Sequence, residues 1–232
     1  MYKNKYLKYK KKYSDLKLSL VNSNQFKNIV NNSYLAGSMV DENKLLSELF
    51  EKHQTNKNLY ARDSNNQFLT YGYIENNCID NIIKKLNINE NDVFYDLGSG
   101  IGNVCFKISY STKAKSCGYE IVDSRHEVAE NINSDFSKIK DMNNKVSLIK
   151  DDFTKIKNGL NDATIIFTDS IMFSKELLKK VEDLAYSSPN LRYLVSMKKL
   201  DNSDKFEYIE TSSCEASWGN SQINIYKKKS IE

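Results

Sequence analysis

Between residues 75 and 88 the apolar positions recur three and four apart. Ile79, Ile82, Ile83 and Leu86 share one face of ENNCIDNIIKKLNI, which predicts an amphipathic helix. The same spacing places Leu45, Leu46, Leu49 and Phe50 on one face of DENKLLSELFEKH, an earlier helix with Asp41 near its start. After residue 92 short apolar runs alternate with longer amphipathic stretches. The runs ending at Asp96 and at Glu120, and a third at 145–150, read as strands; helices from about Asn103, and from about Asp123 to Lys140, separate them. ATIIFTD, a helix SKELLKKVEDLAY, LRYLVSM and two late strands, FEYIETSS and SQINIYKKK, follow. Alternation of this kind predicts an α/β fold with a mostly parallel sheet covered on both faces, and the consecutive last strands an antiparallel pair at one edge.

Upstream the pattern changes. In residues 1–21 Tyr2, Tyr6, Tyr9, Tyr13, Leu16 and Leu20 line one helical seam, and lysines fill the other faces. Lys3, Lys5, Lys8, Lys10, Lys11 and Lys12 come with no acid, so the net charge of +4 becomes −2 over the rest of the chain. This arm is either a helix that packs its seam on a neighbour or a polyanion-binding arm whose lysines meet nucleic-acid phosphates. Residues 22 to about 40 are Asn/Ser-rich and aperiodic, a linker. The expected organisation is therefore an arm (1–21), a linker with a small helical lobe (22–90) and an α/β domain (91–229). There is no 18-residue apolar run and no signal-peptide pattern, so a soluble, unsecreted chain is expected. Cys78, Cys105, Cys117 and Cys214 are scattered without a C-x-x-C pair and are expected as reduced thiols. His53 and His126 alone make no histidine-rich centre, and no metal is expected.

One stretch reads as a binding site. In VFYDLGSGIGNVCF a strand ends at Asp96, and Gly98, Gly100 and Gly102 lead into a helix. Glycines there permit positive φ and close ligand approach, and the helix start offers free amides. The spacing is neither G-x-G-x-x-G nor a P-loop. An acid before the first glycine repels phosphate and welcomes an ammonium, which favours S-adenosylmethionine. Glu120, at the end of the next strand, stands where an acid accepts ribose hydroxyls, and Asp152 with Phe153 suits the adenine amino group and ring. Singly, Glu120 or Asp152 would read as a cap or a solvated turn.

In order along the chain, LTYGYIE, VFYDLGSGIGNVCF, GYE, KDDF, TIIFTDSIMFS, YLVSMK and ASWGNSQINIY resemble the catalytic domain of the disruptor-of-telomeric-silencing family, the histone lysine methyltransferases that lack a SET domain. The resemblance spans about residues 45–228. It implies a class I methyltransferase (Rossmann-like) fold with a seven-stranded sheet, S-adenosylmethionine as donor and S-adenosylhomocysteine as product. It also implies a nucleosome (histone and DNA) as partner, a monomer with no membrane attachment, and work in a nucleus. The leader KNKYLKYKKKYSDLK resembles leaders on proteins of large DNA viruses, which adds a viral factory as the alternative place.

By the same resemblance Tyr71, Gly72 and Ile74 belong to a loop over the methionine end of the donor, with Tyr71 also at the reaction centre. Asp96, Gly98 and Gly100 hold the amino-acid moiety, with Asn103 where the family has Gln; Glu120 takes the ribose, and Asp152 and Phe153 the adenine. Phe173 and Trp218 wall a channel for the target lysine, to which Tyr226 adds a ring. Departures are Tyr73 for a usual Glu, Asp169-Ser170 for an Asn-Asn pair, and Ile225 where a channel tyrosine is expected, with Tyr226 one place on. Asp169 either orients or deprotonates the amine, or caps the next turn; Trp218 is either a channel wall or core. Methyl transfer is an in-line displacement at sulfonium that needs positioning and desolvation, and a dry aromatic channel delivers lysine neutral. Amine methylation of nucleic-acid bases wants an acid or Asn before Pro-Pro after the fourth strand, where this chain has TDSIMF; Pro189 is its one proline. A non-histone or small-molecule methyltransferase, or an inactive chromatin-binding module, are the remaining alternatives.

Overall fold

The structure is a computed structural model. It describes residues 42–54, 59, 61–62, 68–69, 71–201 and 203–229. The lysine-rich arm, with Lys3, Lys5, Lys8, Lys10, Lys11 and Lys12, and the linker lie outside the described residues.

Helix α1 spans Glu42–Gln54, and a two-stranded ribbon pairs β1 (Ala61–Arg62) with β2 (Phe68–Leu69). Then come α2 (Asn76–Leu86), β3 (Val93–Leu97), α3 (Asn103–Thr112), β4 (Lys115–Glu120) and α4 (Asp123–Phe136). They are followed by β5 (Val146–Lys150), β6 (Ile165–Thr168), α5 (Lys175–Ser187), β7 (Tyr193–Ser196), β8 (Phe206–Ala216) and β9 (Gly219–Lys228). The seven strands from β3 onward form one sheet ordered β5-β4-β3-β6-β7-β9-β8. Five are parallel, and the β8–β9 hairpin closes the edge antiparallel to β7. The α/β architecture read from the hydrophobic pattern is the one observed, although α4 ends at Phe136 and not near Lys140.

Both faces of the central strands are buried, by different elements. Phe94, Phe167, Val195, Ile223 and Ile225 point to the side covered by α2 and α3, where they meet Ile79, Ile82, Leu86 and Ile108. Leu97, Ile166, Leu194 and Tyr226 point to the side covered by α5, against Leu178, Val181 and Leu184. Side chains alternate across a strand, so Ile225 and Tyr226 necessarily serve opposite cores. Helix α1 packs through Phe50 on Phe106 of α3, and Lys52 and His53 reach Asp135 of α4. The buried ammonium of Lys107 in α3 bonds Asp80 of α2 and Asn43 of α1, which fastens three helices together.

The expectation of reduced cysteines holds for Cys105 and Cys117, which are buried thiols. It fails for the other two. Cys78 of α2 and Cys214 of β8 form a disulfide, because α2 packs across the edge hairpin and brings residues 136 apart in sequence together. No helix among the described residues is long and apolar enough to cross a membrane.

Candidate active site

The site stands where β3, β4 and β6 end. Gly98 (φ 94°), Gly100 (φ 58°) and Gly102 (φ 89°) all occupy the left-handed region that side chains disfavour, so the loop after β3 requires its glycines. The amides of Gly98 and Ser99 both bond the carbonyl of Tyr119, which pins the loop to β4. A Cβ on Gly118 would lie 2.6 Å from the Ser99 hydroxyl, so the glycine inside β4 exists to let that loop approach. Gly102 precedes α3 and supplies no side-chain cap, leaving the first amides of α3 directed at the loop.

Glu120 is buried at the end of β4. Its carboxylate accepts from the amides of Gly100 and Val122, both at 2.8 Å. A carboxylate oxygen has more than one acceptor position, so these bonds do not by themselves bar a ligand hydroxyl. The two readings of Glu120, structural and ribose-binding, are therefore compatible. Asp152 accepts from the Thr154 amide with Oδ1, capping a short 3-10 turn at Phe153–Lys155.

Asp96 is 2% exposed, and its Oδ1 has no hydrogen-bond partner. Burial, then the charges of Asp169 and Glu120, lift its carboxyl well above the usual range. Asp169, one residue past β6, is pushed up to about 6 by burial, partly offset by the Ile171 amide; its Oδ1 also lacks a partner. Against these three carboxylates stands one guanidinium, Arg125, whose Nη1 is 4.0 Å from Glu120. Burial together with mutual repulsion therefore favours the neutral forms of Asp96 and Asp169, and a cation entering between them would favour their ionisation.

Arg125 was not singled out from the sequence. Its Nε donates to the Leu59 carbonyl, and its guanidinium lies over the Tyr71 ring, 5.3 Å from the centroid. It thereby holds the upstream segment against the glycine loop. The signal was present: an arginine in the first turn of α4 opposes the helix dipole and needs a specific partner there.

The upstream and downstream motifs meet each other. Tyr73 exchanges two hydrogen bonds with Ser217: its carbonyl accepts from the Ser217 amide at 2.9 Å, and its amide donates to Oγ at 3.2 Å. Ile74 bridges Ala216. The Trp218 indole lies on Gly72 so closely that a Cβ there would fall 2.3 Å from Cζ3, while the Tyr71 ring comes within 3.0 Å of a Cβ placed on Gly100. Trp218, 44% exposed at the hairpin turn, is not core.

One predicted placement changes, and two others gain detail. Tyr226 is not at the site: it is 2% exposed, its hydroxyl accepts from the Leu200 amide at 2.9 Å, and its ring packs in the α5-side core. The side chain of Ile74 is likewise core, so it anchors the loop through packing. Phe173 stacks near Phe153 (centroids 6.1 Å apart) and lies 3.8 Å from a Cβ placed on Gly98, so its ring borders the glycine loop. Asn103 is the first residue of α3.

The family described as histone methylation protein DOT1 matches residues 51–230. A histone-lysine N-methyltransferase, H3 lysine-79 specific, of Caenorhabditis elegans is 31% identical over 145 residues, 59% of this chain and 15% of that protein. Its namesake in Kluyveromyces lactis is 39% identical over 61 residues, 26% of this chain and 11% of that protein. The chain thus spans a small part of these relatives' length. Among solved structures, an RNA methyltransferase from Salinibacter ruber with S-adenosyl-L-homocysteine superposes with a TM-score of 0.51 at 16% identity, over 66% of this chain and 92% of that one. A putative RNA methyltransferase from Pyrococcus horikoshii gives 0.53 at 13% identity, over 80% and 98%. These likenesses establish the methyltransferase fold.

Proposed function

Because the chain belongs to the DOT1 histone methylation family, we propose that it transfers methyl groups from S-adenosylmethionine to a lysine of nucleosomal histone H3, the substrate named for its two relatives. The observation that carries this reading is the carboxylate pocket beneath the glycine loop, with the buried Oδ1 of Asp96 unpartnered. A donor bearing an ammonium and a sulfonium supplies the cation that pocket lacks. Asp96 would receive the ammonium, the first amides of α3 the carboxylate, with Gly98 and Gly100 leaving room for it, Glu120 the ribose, and Asp152 with Phe153 the adenine. Asn103 opens α3 beside them, and the Tyr71 and Gly72 segment, held down by Arg125, closes over the methionine end.

When bound, S-adenosylmethionine supplies a methyl group on a positively charged leaving sulfur. The protein's part is to aim an uncharged amine at it and to exclude water. Trp218, exposed beside Gly72, forms one wall of the lysine's approach. The lysine arm at residues 1–12 is assigned to nucleosomal DNA, with an affinity that falls steeply as salt rises. Its action on chromatin places the protein in a nucleus or, following its lysine/tyrosine leader, a viral factory, working as a monomer.

Titration calorimetry with S-adenosylmethionine, followed by tritium transfer to nucleosomes, free histones and small amines, tests the reading. Donor binding with transfer to nucleosomal H3 supports it; transfer only to small amines, or binding without transfer to any of them, refutes it.

A further inference from the structure

Two of the site's carboxylates lie at different depths. Asp96 sits within β3 and pairs in register with Phe167 of β6. Asp169 comes two residues after Phe167, and two residues of extended chain cover about 6.6 Å toward the mouth. Asp96 is therefore the floor and Asp169 the rim. The rim residue is held firmly. Thr168 bonds the Leu97 carbonyl at 2.9 Å, and the buried Ser170 hydroxyl bonds Ser196 at 2.7 Å and accepts from the Lys198 amide. The Phe173 amide returns to the Ser170 carbonyl. Asp169 interacts with one local donor, the Ile171 amide, and keeps Oδ1 unpartnered.

Resting on the lysine-methylation reading above, we propose that Asp169 is a catalytic residue that takes the proton from the incoming lysine ammonium, while Asp96 below it holds the donor. One Nζ–H bond breaks, the proton moves to Asp169 Oδ1, and the electron pair stays on nitrogen. That pair forms the new N–C bond as the C–S bond breaks with its electrons on sulfur. The products are a methylated ammonium, a thioether and a protonated Asp169, which returns its proton to solvent.

Charged groups around Asp169 favour this role. Asp96, from β3, repels a second negative charge. From β4 and α4, Glu120 and Arg125 are engaged with each other and with backbone groups, and the Lys198 ammonium after β7 bonds the Phe173 carbonyl. In water a lysine and an aspartic acid differ by about 6.5 pKa units, too wide a gap for efficient transfer. Burial narrows it from both sides, lifting Asp169 to about 6 and lowering a lysine that enters a dry channel.

Asp169→Asn keeps the shape and the Ile171 bond but cannot accept the proton. Donor affinity and transfer to nucleosomes are measured for both proteins from about pH 5.5 to 9.5, a range that brackets both groups. In the native protein the rate should rise from acid pH as Asp169 loses its proton and then level. The variant should bind donor within about threefold, transfer roughly 100-fold more slowly at neutral pH, and gain rate steadily toward high pH as the lysine loses its own proton. Asp169→Ala should in addition be partly restored by added formate. An Asn variant with the native pH profile overturns the assignment while leaving lysine methylation standing. A native protein that binds donor yet methylates no nucleosome overturns both.

Discussion

Gly72→Ala tests whether the contact between the upstream loop and the edge hairpin is what shapes the site. Gly72 is not among the residues with positive φ, so an alanine there has no backbone strain. The whole effect must then come from space. The new methyl would sit 2.3 Å and 2.5 Å from two indole carbons of Trp218, whereas carbons pack comfortably at about 3.5–4.0 Å. The indole must retreat by more than 1 Å. Because it is 44% exposed it can do so, but Ser217 moves with it and strains the two hydrogen bonds to Tyr73. Overpacking of this size costs about 1–3 kcal/mol, and the hydrogen bonds about 0.5–1.5 kcal/mol each if lost.

The control is Trp218→Ala, which removes the obstacle. In that background Gly72→Ala should change sign and stabilise by about 0.4–1 kcal/mol, since alanine restricts the unfolded chain. Urea denaturation of the native protein, both single variants and the double variant gives the coupling energy directly. A value of about 1.5–4 kcal/mol is expected. Additivity within about 0.5 kcal/mol would refute the steric argument and with it the claim that these two motifs define one wall. In parallel, both single variants should bind donor nearly as the native protein does and transfer methyl groups to nucleosomes far more slowly.

Other outcomes follow from the same structure. Glu120→Ala strands the Gly100 and Val122 amides and deprives Arg125 of its counter-charge; it should weaken donor binding and also lower stability by about 2–5 kcal/mol, where unchanged stability would make Glu120 a purely ligand-facing group. Reduction of Cys78–Cys214, or Cys78→Ala with Cys214→Ala, opens a loop of 136 residues, for which chain entropy sets an upper loss of about 5 kcal/mol; a melting temperature indifferent to reductant would contradict the bridge. Asp96 and Asp169 both have folded pKa values raised above the unfolded value near 3.9, so the stability their protonated forms give is complete below about pH 4 and is lost as pH rises through each folded value, which for Asp169 is about 6. Asp169→Asn should therefore flatten the decline of donor-free stability between about pH 4 and 7, on the order of 2 kcal/mol, and an unaltered slope in urea titrations counts against its burial. Asp135 lies outside this window: burial raises it, Lys138, Lys52 and His53 more than offset that, and the stability it confers is lost only as pH falls below about 4.

What the sequence could and could not disclose divides along a physical line. The proposed donor site was legible because its parts are local: Asp96 and Gly98 lie on one turn, Glu120 closes a strand, and glycines at positive φ announce themselves by residue type. Tyr226 was misplaced for an equally definite reason. In a strand buried on both faces, alternation of apolar residues carries no inside or outside, so the choice between Ile225 and Tyr226 has no local signal. It is decided by register: Ile225 pairs with Val195 and turns toward α2 and α3, while Tyr226 pairs with Leu194 and turns toward α5. The disulfide is hidden in the same way, since only the packing of α2 across β8 brings Cys78 to Cys214.

The proposed wall of the lysine approach is the extreme case. Tyr73 and Ser217, whose hydrogen bonds fix it, are 144 residues apart, and Arg125 reaches back 66 residues to Leu59. Each such contact depends on the whole sheet having formed first. Residues that bind the donor can therefore tolerate drift in the edge hairpin, whereas those that admit the lysine cannot. Loosening that hairpin, by Gly72→Ala or by reducing the bridge in β8, should accordingly depress transfer to nucleosomes well before it depresses donor affinity. Equal losses of both in calorimetry and tritium assays would mean that the two halves of the site are one mechanical unit after all.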